Sequence, residues 1–591
     1  MTVAASFAAT LVDEWVRAGL TDAVVAPGSR STPLATALAR ESRIALHVRL
    51  DERSAAFFAL GIGLATGRPA ILLTTSGTAA FEVHAGVVEA HLSRVPMIVC
   101  TADRPPELHQ VGAPQTVEQA GAFAGAVRFA ADPGVPDDDA RWSWRSLASR
   151  LVAEATAGPM GPGPVHVNLA FREPLLESPG EMPPGRCNGQ PWHRADRVRR
   201  VPEKAALDAL VGLARPAARG LIVAGAGAGP PEVVRRLASL LGWPVLADPR
   251  SGVRIPGEQG APTIAAADAL LRVESVASDF EPEVVLRLGE PWASKVVATW
   301  LTSCSAAGAV QVLVDPNWAW RDPAREADLV IAADPDQVLE ALALRVPLGE
   351  GSTRSAWAAP SSWSQAWAQA ESRAQGAISA VLSGHLEATE PGAARALFAW
   401  APPGSTVVAS SSMPVRDLEW FAAPRHDPPR VLSNRGANGI DGVASTTLGV
   451  AAAAASTGGP VVGLLGDLAF LHDATALVRG RREPASSAVL VVLDNGGGGI
   501  FSFLPQASGL DEALFERLFG TPQRIDVAEL SRVAGCDTLE VGAGNELTAQ
   551  LDSALAHAAR RGPAVVVVRT DRKANVALHA EIEAEVALRL G

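Results

Sequence analysis

Two stretches of this chain end an apolar run in oxygen-bearing side chains. In GLLGDLAF (463–470) the run stops at Gly466-Asp467. In VVLDNGGGGIF (491–501) it stops at Asp494-Asn495 and gives way to four glycines. Asp467 and Asn495 stand 28 positions apart, about one strand-to-strand repeat of a βαβ unit. Such a repeat sets both at the carboxyl ends of strands in one parallel sheet, where open α/β sheets bind ligands. The residue types suit a hard cation. Mg²⁺ takes about six oxygens, commonly from one or two carboxylates plus phosphates and water. Asp467 offers a carboxylate oxygen, Asn495 an amide oxygen and Gly497 a backbone carbonyl. The glycines let the backbone come close where a side chain would collide with a diphosphate. Taken singly, each motif reads rather as a plain Gly-rich turn or an Asp capping a helix. The pair at this spacing points to a metal-bound diphosphate.

The elements that must hold these residues are legible along the chain. Short β-branched runs alternate with Ala- and Leu-rich helical segments, the pattern of parallel sheets flanked by helices. Strands are expected at 23–28, 71–75, 97–105 and 164–169, then at 221–227, 244–249, 284–289, 310–316 and 329–335. The last third adds 406–412, 431–436, 461–467, 489–495 and 564–571. Two Pro- and Gly-rich breaks, 178–194 and 346–363, read as linkers. The fold class is therefore α/β, in three consecutive domains, each a mostly parallel sheet flanked by helices: 1–180, 195–345 and 365–591. GPVHVNL (163–169) and GPAVVVV (562–568) close the first and last thirds alike, a hint of duplicated architecture. GAGAGPP (225–231) fails as a dinucleotide fingerprint, because Pro230 occupies the third glycine's place. It reads as structural, or as part of a regulatory site.

A chain of 591 residues needs several domains. Its 48% hydrophobic and 19% charged content is that of a soluble globular protein. The net charge of −12 argues against nucleic-acid binding. An anionic substrate must then be drawn in by a local basic cluster, against the overall field. Cys100, Cys187, Cys304 and Cys536 match no zinc or CxxC spacing and read as reduced thiols. The opening MTVAASFAATLVDEW has acids at 13 and 14 and no basic segment, so no signal peptide is expected. The longest apolar stretch, 450–466, is broken by Ser, Thr, Gly and Pro, which makes it helix, turn and strand. The expected location is the cytoplasm, with neither nucleic acid nor membrane as partner.

The GD turn followed by an Asn-containing Gly-rich turn, in a chain of three α/β domains, resembles the thiamine-diphosphate enzyme superfamily. That resemblance implies a pyrimidine-binding domain first, a central domain second and a diphosphate-binding domain last. It also implies a glutamate in the first domain that hydrogen-bonds the cofactor's aminopyrimidine. LDERSAAFFALGIG (50–63) offers Glu52, between a strand and a helix. Its other reading is a helix N-terminal acid favoured by the dipole. The work implied for it needs a carboxyl in a mostly apolar pocket. APGSRSTPL (26–34), DERSAAFFALG (51–61), TSGTA (75–79), TADRPPEL (101–108) and SNRGANGIDG (433–442) narrow the match. With the GDL and Gly-rich turns, they closely resemble the 2-succinyl-5-enolpyruvyl-6-hydroxy-3-cyclohexene-1-carboxylate synthase family of menaquinone biosynthesis. The likeness is specific in the outer thirds and weak in the middle.

This family resemblance implies a carbon–carbon bond-forming transferase that uses thiamine diphosphate with Mg²⁺ or Mn²⁺. Decarboxylation of 2-oxoglutarate yields a succinyl carbanion, which adds to isochorismate in a Stetter-like 1,4-addition. Both substrates are dicarboxylates, so guanidinium forks in a dry site are required. The matching segments supply Ser29 and Arg30, Arg416, Arg435, Lys295, Gln115 and Ser412. Arg30, Arg416 and Arg435 are expected to act in catalysis with Glu52; Ser29, Gln115, Lys295 and Ser412 are expected to bind substrate. Ile440 matches an apolar wedge that bends the cofactor, and Ile500 and Phe501 match residues packed beside it. Departures from the family pattern are Pro114 and Gly496 in place of polar residues, Val296 in place of an arginine, and Asp494 where the motif commonly has an asparagine. A homodimer is implied as the minimum unit, with a homotetramer as the larger alternative. Competing readings are a thiamine-diphosphate enzyme of the acetohydroxyacid synthase or 2-oxoacid decarboxylase type, or a non-catalytic ligand-binding regulator on the same fold.

Overall fold

The computed structural model describes residues 2–215, 218–257, 260–349, 355–455 and 458–591. Three six-stranded sheets follow one another, and all neighbouring strands pair in parallel. The first holds β1 (Asp22–Val25), β2 (Ala45–Val48), β3 (Ala70–Thr74), β4 (Met97–Asp103), β5 (Ala130–Ala131) and β6 (Pro164–Ala170). The second holds β7 (Gly220–Ala224), β8 (Val245–Ala247), β9 (Thr263–Ile264), β10 (Val284–Leu288), β11 (Val310–Val314) and β12 (Leu329–Ile331). The third holds β13 (Thr406–Ala409), β14 (Arg430–Leu432), β15 (Val461–Gly466), β16 (Val489–Asp494), β17 (Asp537–Val541) and β18 (Ala564–Arg569).

The outer sheets have the same strand order. It is β2-β1-β3-β4-β6-β5 in the first and β14-β13-β15-β16-β18-β17 in the third. The middle sheet runs β12-β11-β10-β7-β8-β9, the order of dinucleotide-binding sheets. Its 225–231 turn is held by the chain itself: the Glu290 N–H donates to the Ala226 carbonyl at 2.8 Å.

Central strands such as AILLT, VVGLLG and VLVVLD are apolar on both faces because helices cover both faces. One core lies between the first and third sheets, where helices Glu52–Thr66 and Val443–Ala454 pack on each other. Each outer sheet has a second core on its far face. The middle sheet has its own core, joined by helices Ser361–Gly384 and Arg572–Leu590 from the last third. The expected linker at 346–363 therefore ends in the first turn of a helix, while 350–354 within it lies outside the described residues. The 178–194 break has no helix beyond the three-residue turn Cys187–Gly189. Among the described residues, no helix is long and apolar enough to cross a membrane.

Candidate active site

The carboxyl edge of the third sheet gathers most of the chemistry foreseen in the sequence. Along the order β14-β13-β15-β16-β18, the strands are followed by Arg435, then Ser412 and Arg416, then Asp467, Asn495 and Thr570. Asp467 is buried and accepts the Leu468 N–H at 2.7 Å. Burial, with the Asp494 charge adding to it, pushes its carboxyl up to about 6, against backbone donation from Leu468 and Gly497. Asn495 donates Nδ2 to Glu390 Oε1 at 2.8 Å. Its Oδ1 is buried without a hydrogen-bond partner among the described residues. An acceptor left this way is costly, and a divalent cation would satisfy it together with the Asp467 carboxylate. No group of three or more His, Cys, Asp or Glu with metal-binding geometry occurs among the described residues. Phosphate and water oxygens would have to complete such a cation's shell.

Gly497 has a reason within the chain itself. Gly497 has φ +140°, and a Cβ there would lie 2.0 Å from the Gly520 carbonyl oxygen. The chain's own backbone excludes the side chain. The Gly497 carbonyl accepts the Gly499 N–H at 2.9 Å, leaving one lone pair for another partner. Asp494 is occupied elsewhere, in an ion pair with Arg569. Ile500 and Phe501 sit half-buried in the turn Gly499–Phe503, where the Phe501 ring is 5.4 Å from that of Phe519.

Arg435 feels the charge of Arg416. The Arg416 Nη1 donates to the Ser412 carbonyl at 2.6 Å, and Ser412 starts the helix with a strained φ of +73°. Burial lowers the Arg416 guanidinium. Arg435 is pushed down to about 10, by burial first and then by the Arg250 and Arg416 charges. Arg435 makes no hydrogen bond or ion pair among the described residues, so it is half-buried, cationic and free to take an anion. Glu419, one turn beyond Arg416, accepts the N–H groups of Ala293 and Ser294, each at 2.7 Å. This clasp sets Lys295, exposed at the start of helix Lys295–Ala306, beside the third sheet. Val296 packs against the middle core.

The first sheet presents its own set. Glu52 opens helix Glu52–Thr66, whose N-cap Asp51 accepts the Ser54 N–H. Burial raises the Glu52 carboxyl above its ordinary range, and Asp51 and Glu82 add to the effect. Arg30 is buried and turns its two Nη groups to its own chain: Nη1 donates to Phe171 O at 3.0 Å and Nη2 to Glu173 at 3.4 Å, while Nε is buried without a partner among the described residues. Gln115 donates to Ser76 O at 2.9 Å, and its carbonyl accepts from Arg104 at 2.8 Å. Ser29 and Pro114 are exposed. Arg104 was not singled out in the sequence, although it stands in TADRPPEL; it binds Ser76 and feels the Arg30 charge.

Within one chain, Glu52 is joined to the Asp467 helix through the residues that follow it. Its neighbours Arg53 and Ser54 bind the His472 carbonyl at 2.9 Å and the Asp473 carboxylate at 3.3 Å. These lie at the far end of helix Asp467–His472 from Asp467. Six helical residues span about 9 Å. Ile440, half-buried, precedes Gly442, whose αL turn (φ +68°) against the Phe57 ring starts helix Val443–Ala454.

Three family models match the chain in the order of its sheets. They are the thiamine pyrophosphate enzyme N-terminal TPP binding domain over residues 1–122, the middle domain of thiamine pyrophosphate over 187–401, and the C-terminal TPP binding domain over 419–568. Fold and site thus define a thiamine pyrophosphate enzyme. A relative in Thermobifida fusca is 41% identical over 99% of both chains, and one in Chloroflexus aurantiacus is 42% identical over 87% of this chain and 85% of its own. A third, in Geobacillus kaustophilus, is 39% identical over 98% of this chain and 97% of its own. All three are named 2-succinyl-5-enolpyruvyl-6-hydroxy-3-cyclohexene-1-carboxylate synthase, and the chain belongs to this family. The crystal structure of benzoylformate decarboxylase from Polynucleobacter necessarius shares the fold, with a TM-score of 0.69 at 17% identity over 96% of this chain and 98% of its own.

Proposed function

We propose that the chain decarboxylates 2-oxoglutarate and adds the succinyl unit to isochorismate, forming 2-succinyl-5-enolpyruvyl-6-hydroxy-3-cyclohexene-1-carboxylate and CO₂ in menaquinone biosynthesis. The observation that carries this reading, within its family, is the free Arg435 guanidinium beside Arg416. Two half-buried cations suit dicarboxylate substrates and would be wasted on pyruvate. Thiamine diphosphate, when bound, supplies the electron sink for decarboxylation. Asp467, Asn495 and the Gly497 carbonyl would hold Mg²⁺ or Mn²⁺ and, through it, the diphosphate. Ile440, Ile500 and Phe501 would form the apolar wall. Glu52, with its raised affinity for a proton, would hold one at the aminopyrimidine nitrogen. Ser412, Lys295 and Gln115 orient substrate carboxylates, while Ser29 and the paired Arg30 shape the first domain's side of the pocket.

In this reading residues 1–180 bind the pyrimidine, 195–345 form the central domain and 365–591 bind the diphosphate. A second copy completes each site, as the resemblance to the superfamily implies. The enzyme is a cytoplasmic homodimer or a dimer of dimers. Mass spectrometry of the product from 2-oxoglutarate and isochorismate, with cofactor and Mg²⁺, tests the proposal against Glu52→Gln, which should be silent. Turnover of pyruvate in its place would favour an acetohydroxyacid synthase-like enzyme. Cofactor binding without CO₂ release would favour a regulator.

A further inference from the structure

We infer that Glu390 is a positioning residue for the cation site: it fixes the Asn495 amide so that oxygen, not nitrogen, is presented to the cation. The inference rests on the reading of Asp467 and Asn495 as cation ligands. The two ends of an asparagine amide are nearly the same size, yet only the oxygen can bind a metal. A flipped amide would turn an NH₂ group toward the cation and abolish the site without moving an atom of the backbone. Something must select the rotamer, and the neighbours of the amide show what does.

Glu390 Oε1 lies 2.8 Å from Asn495 Nδ2. This oxygen also takes the Thr570 hydroxyl, so it serves here as an acceptor and the nitrogen end of the amide faces it. Asn495 Oδ1 then points the other way, where it is buried and lacks a hydrogen-bond partner among the described residues. Room for the contact is provided at Gly499, where a Cβ would sit 2.6 Å from Nδ2. Glu390 is itself held. It is 1% exposed and opens helix Glu390–Trp400, whose Thr389 cap accepts the Gly392 N–H at 3.1 Å. Thr570, at the end of β18, donates to the same Oε1 at 3.4 Å and, through its N–H, to the Asp494 carbonyl at 2.9 Å. An acid at a helix start needs no burial to profit from the dipole. Burying one is costly, and here the recorded donors to it are a cation-site amide and a hydroxyl tied to the same loop.

The test uses the full-length protein. Mg²⁺ is titrated at saturating thiamine diphosphate, followed by tryptophan fluorescence, with Mn²⁺ paramagnetic resonance as a second probe. Glu390→Met keeps the volume and removes the acceptor. Melting of the metal-free protein checks that it folds, and Glu390→Ala serves if it does not. The apparent metal dissociation constant should rise about 10- to 100-fold. Glu390→Gln, whose side-chain oxygen can accept from Nδ2, should stay close to the parent. In an Asn495→Ala background, Glu390→Met should add little, because the amide it orients is gone. A folded Glu390→Met or Glu390→Ala protein that titrates like the parent, or losses from the 390 and 495 changes that multiply, would overturn the inference. Should Asn495→Ala by itself leave metal binding intact, the cation-site reading fails first.

Discussion

Replacing Gly61 by alanine puts the joint between the outer domains under load. Gly61 lies where helix Glu52–Thr66 crosses helix Val443–Ala454. A Cβ there would sit 2.1 Å from the Thr446 carbonyl oxygen and 2.9 Å from the Val450 nitrogen. Both obstacles are backbone, so no rotamer change relieves them. Restoring van der Waals distance requires the helices to part by roughly 1 Å, in a core where overpacking costs about 1–3 kcal/mol. Alanine's helix propensity returns about 1 kcal/mol, which leaves a net loss of about 0–2 kcal/mol. Gly212, in helix Lys204–Leu213 with nothing within 4 Å of its would-be Cβ, is the control. Gly212→Ala should be neutral or stabilising. The functional consequence is larger than the thermodynamic one, because the displaced helix begins with Glu52. A 1 Å misplacement of a reacting group costs on the order of 10²-fold in rate. Urea midpoints of the two variants, together with kcat under saturating cofactor, measure both effects. If Gly61→Ala gains stability as Gly212→Ala does and keeps its kcat, the crossing does not position Glu52 and the argument fails.

Other outcomes follow from the same contacts. Arg254 is fully buried and donates to the carbonyls of Ala247, Leu418, Glu419 and Ala422 at 2.7–3.2 Å, capping the helix that carries Arg416. Arg254→Met should cost about 3–5 kcal/mol and speed amide exchange at 413–422; unchanged exchange there would refute the capping role. Glu82→Gln removes a like charge that helps raise the Glu52 carboxyl. Ionisation of Glu52 then becomes easier, so the acid limb of kcat/KM should move to lower pH, and a limb that stays or moves up contradicts the electrostatics. Gly497→Ala meets both a Gly-only φ and the Gly520 carbonyl. It should weaken Mg²⁺-dependent cofactor binding strongly while metal-free melting changes by no more than about 1–3 kcal/mol of strain would predict.

The strands that carry the sheets were legible because burial on both faces leaves continuous apolar runs. The ones missed, β2, β5, β9 and β17, all lie at sheet edges; β5 and β9 are two residues long, and ALHV and DTLEV are only partly buried. Asp467 and Asn495 could be paired from sequence because a βαβ repeat fixes their spacing and their strands are neighbours. Glu390 could not be paired with Asn495, since 105 positions separate them and no periodicity links a helix start to a distant turn. Glu419 and Arg254 escaped for the same reason. Arg30 shows a different limit: its residue type and turn were correctly placed, but which oxygens its Nη groups would meet depended on Phe171 and Glu173, after β6.

The hint of duplication at 163–169 and 562–568 proves to extend into the joint between the domains. Helices Glu52–Thr66 and Val443–Ala454 follow β2 and β14, which hold the same place in two sheets of identical order. Their contact is reciprocal. Gly61 faces the Thr446 carbonyl and Gly449 faces the Phe58 carbonyl, each approach leaving 2.0–2.1 Å for a Cβ. A local twofold that exchanges the helices therefore exchanges Gly61 with Gly449 and Phe58 with Thr446, and 388 positions separate the members of both pairs. The same offset carries Glu52 onto Ile440. One position at the start of a duplicated helix has thus been given a carboxyl in the first domain and a branched apolar side chain in the third. In the proposed enzyme these two residues meet the same coenzyme, the first moving a proton and the second bending the molecule that receives it. A duplicated fold needs such divergence, because two carboxylates at equivalent places around one cofactor would raise each other's proton affinity and hold the site neutral.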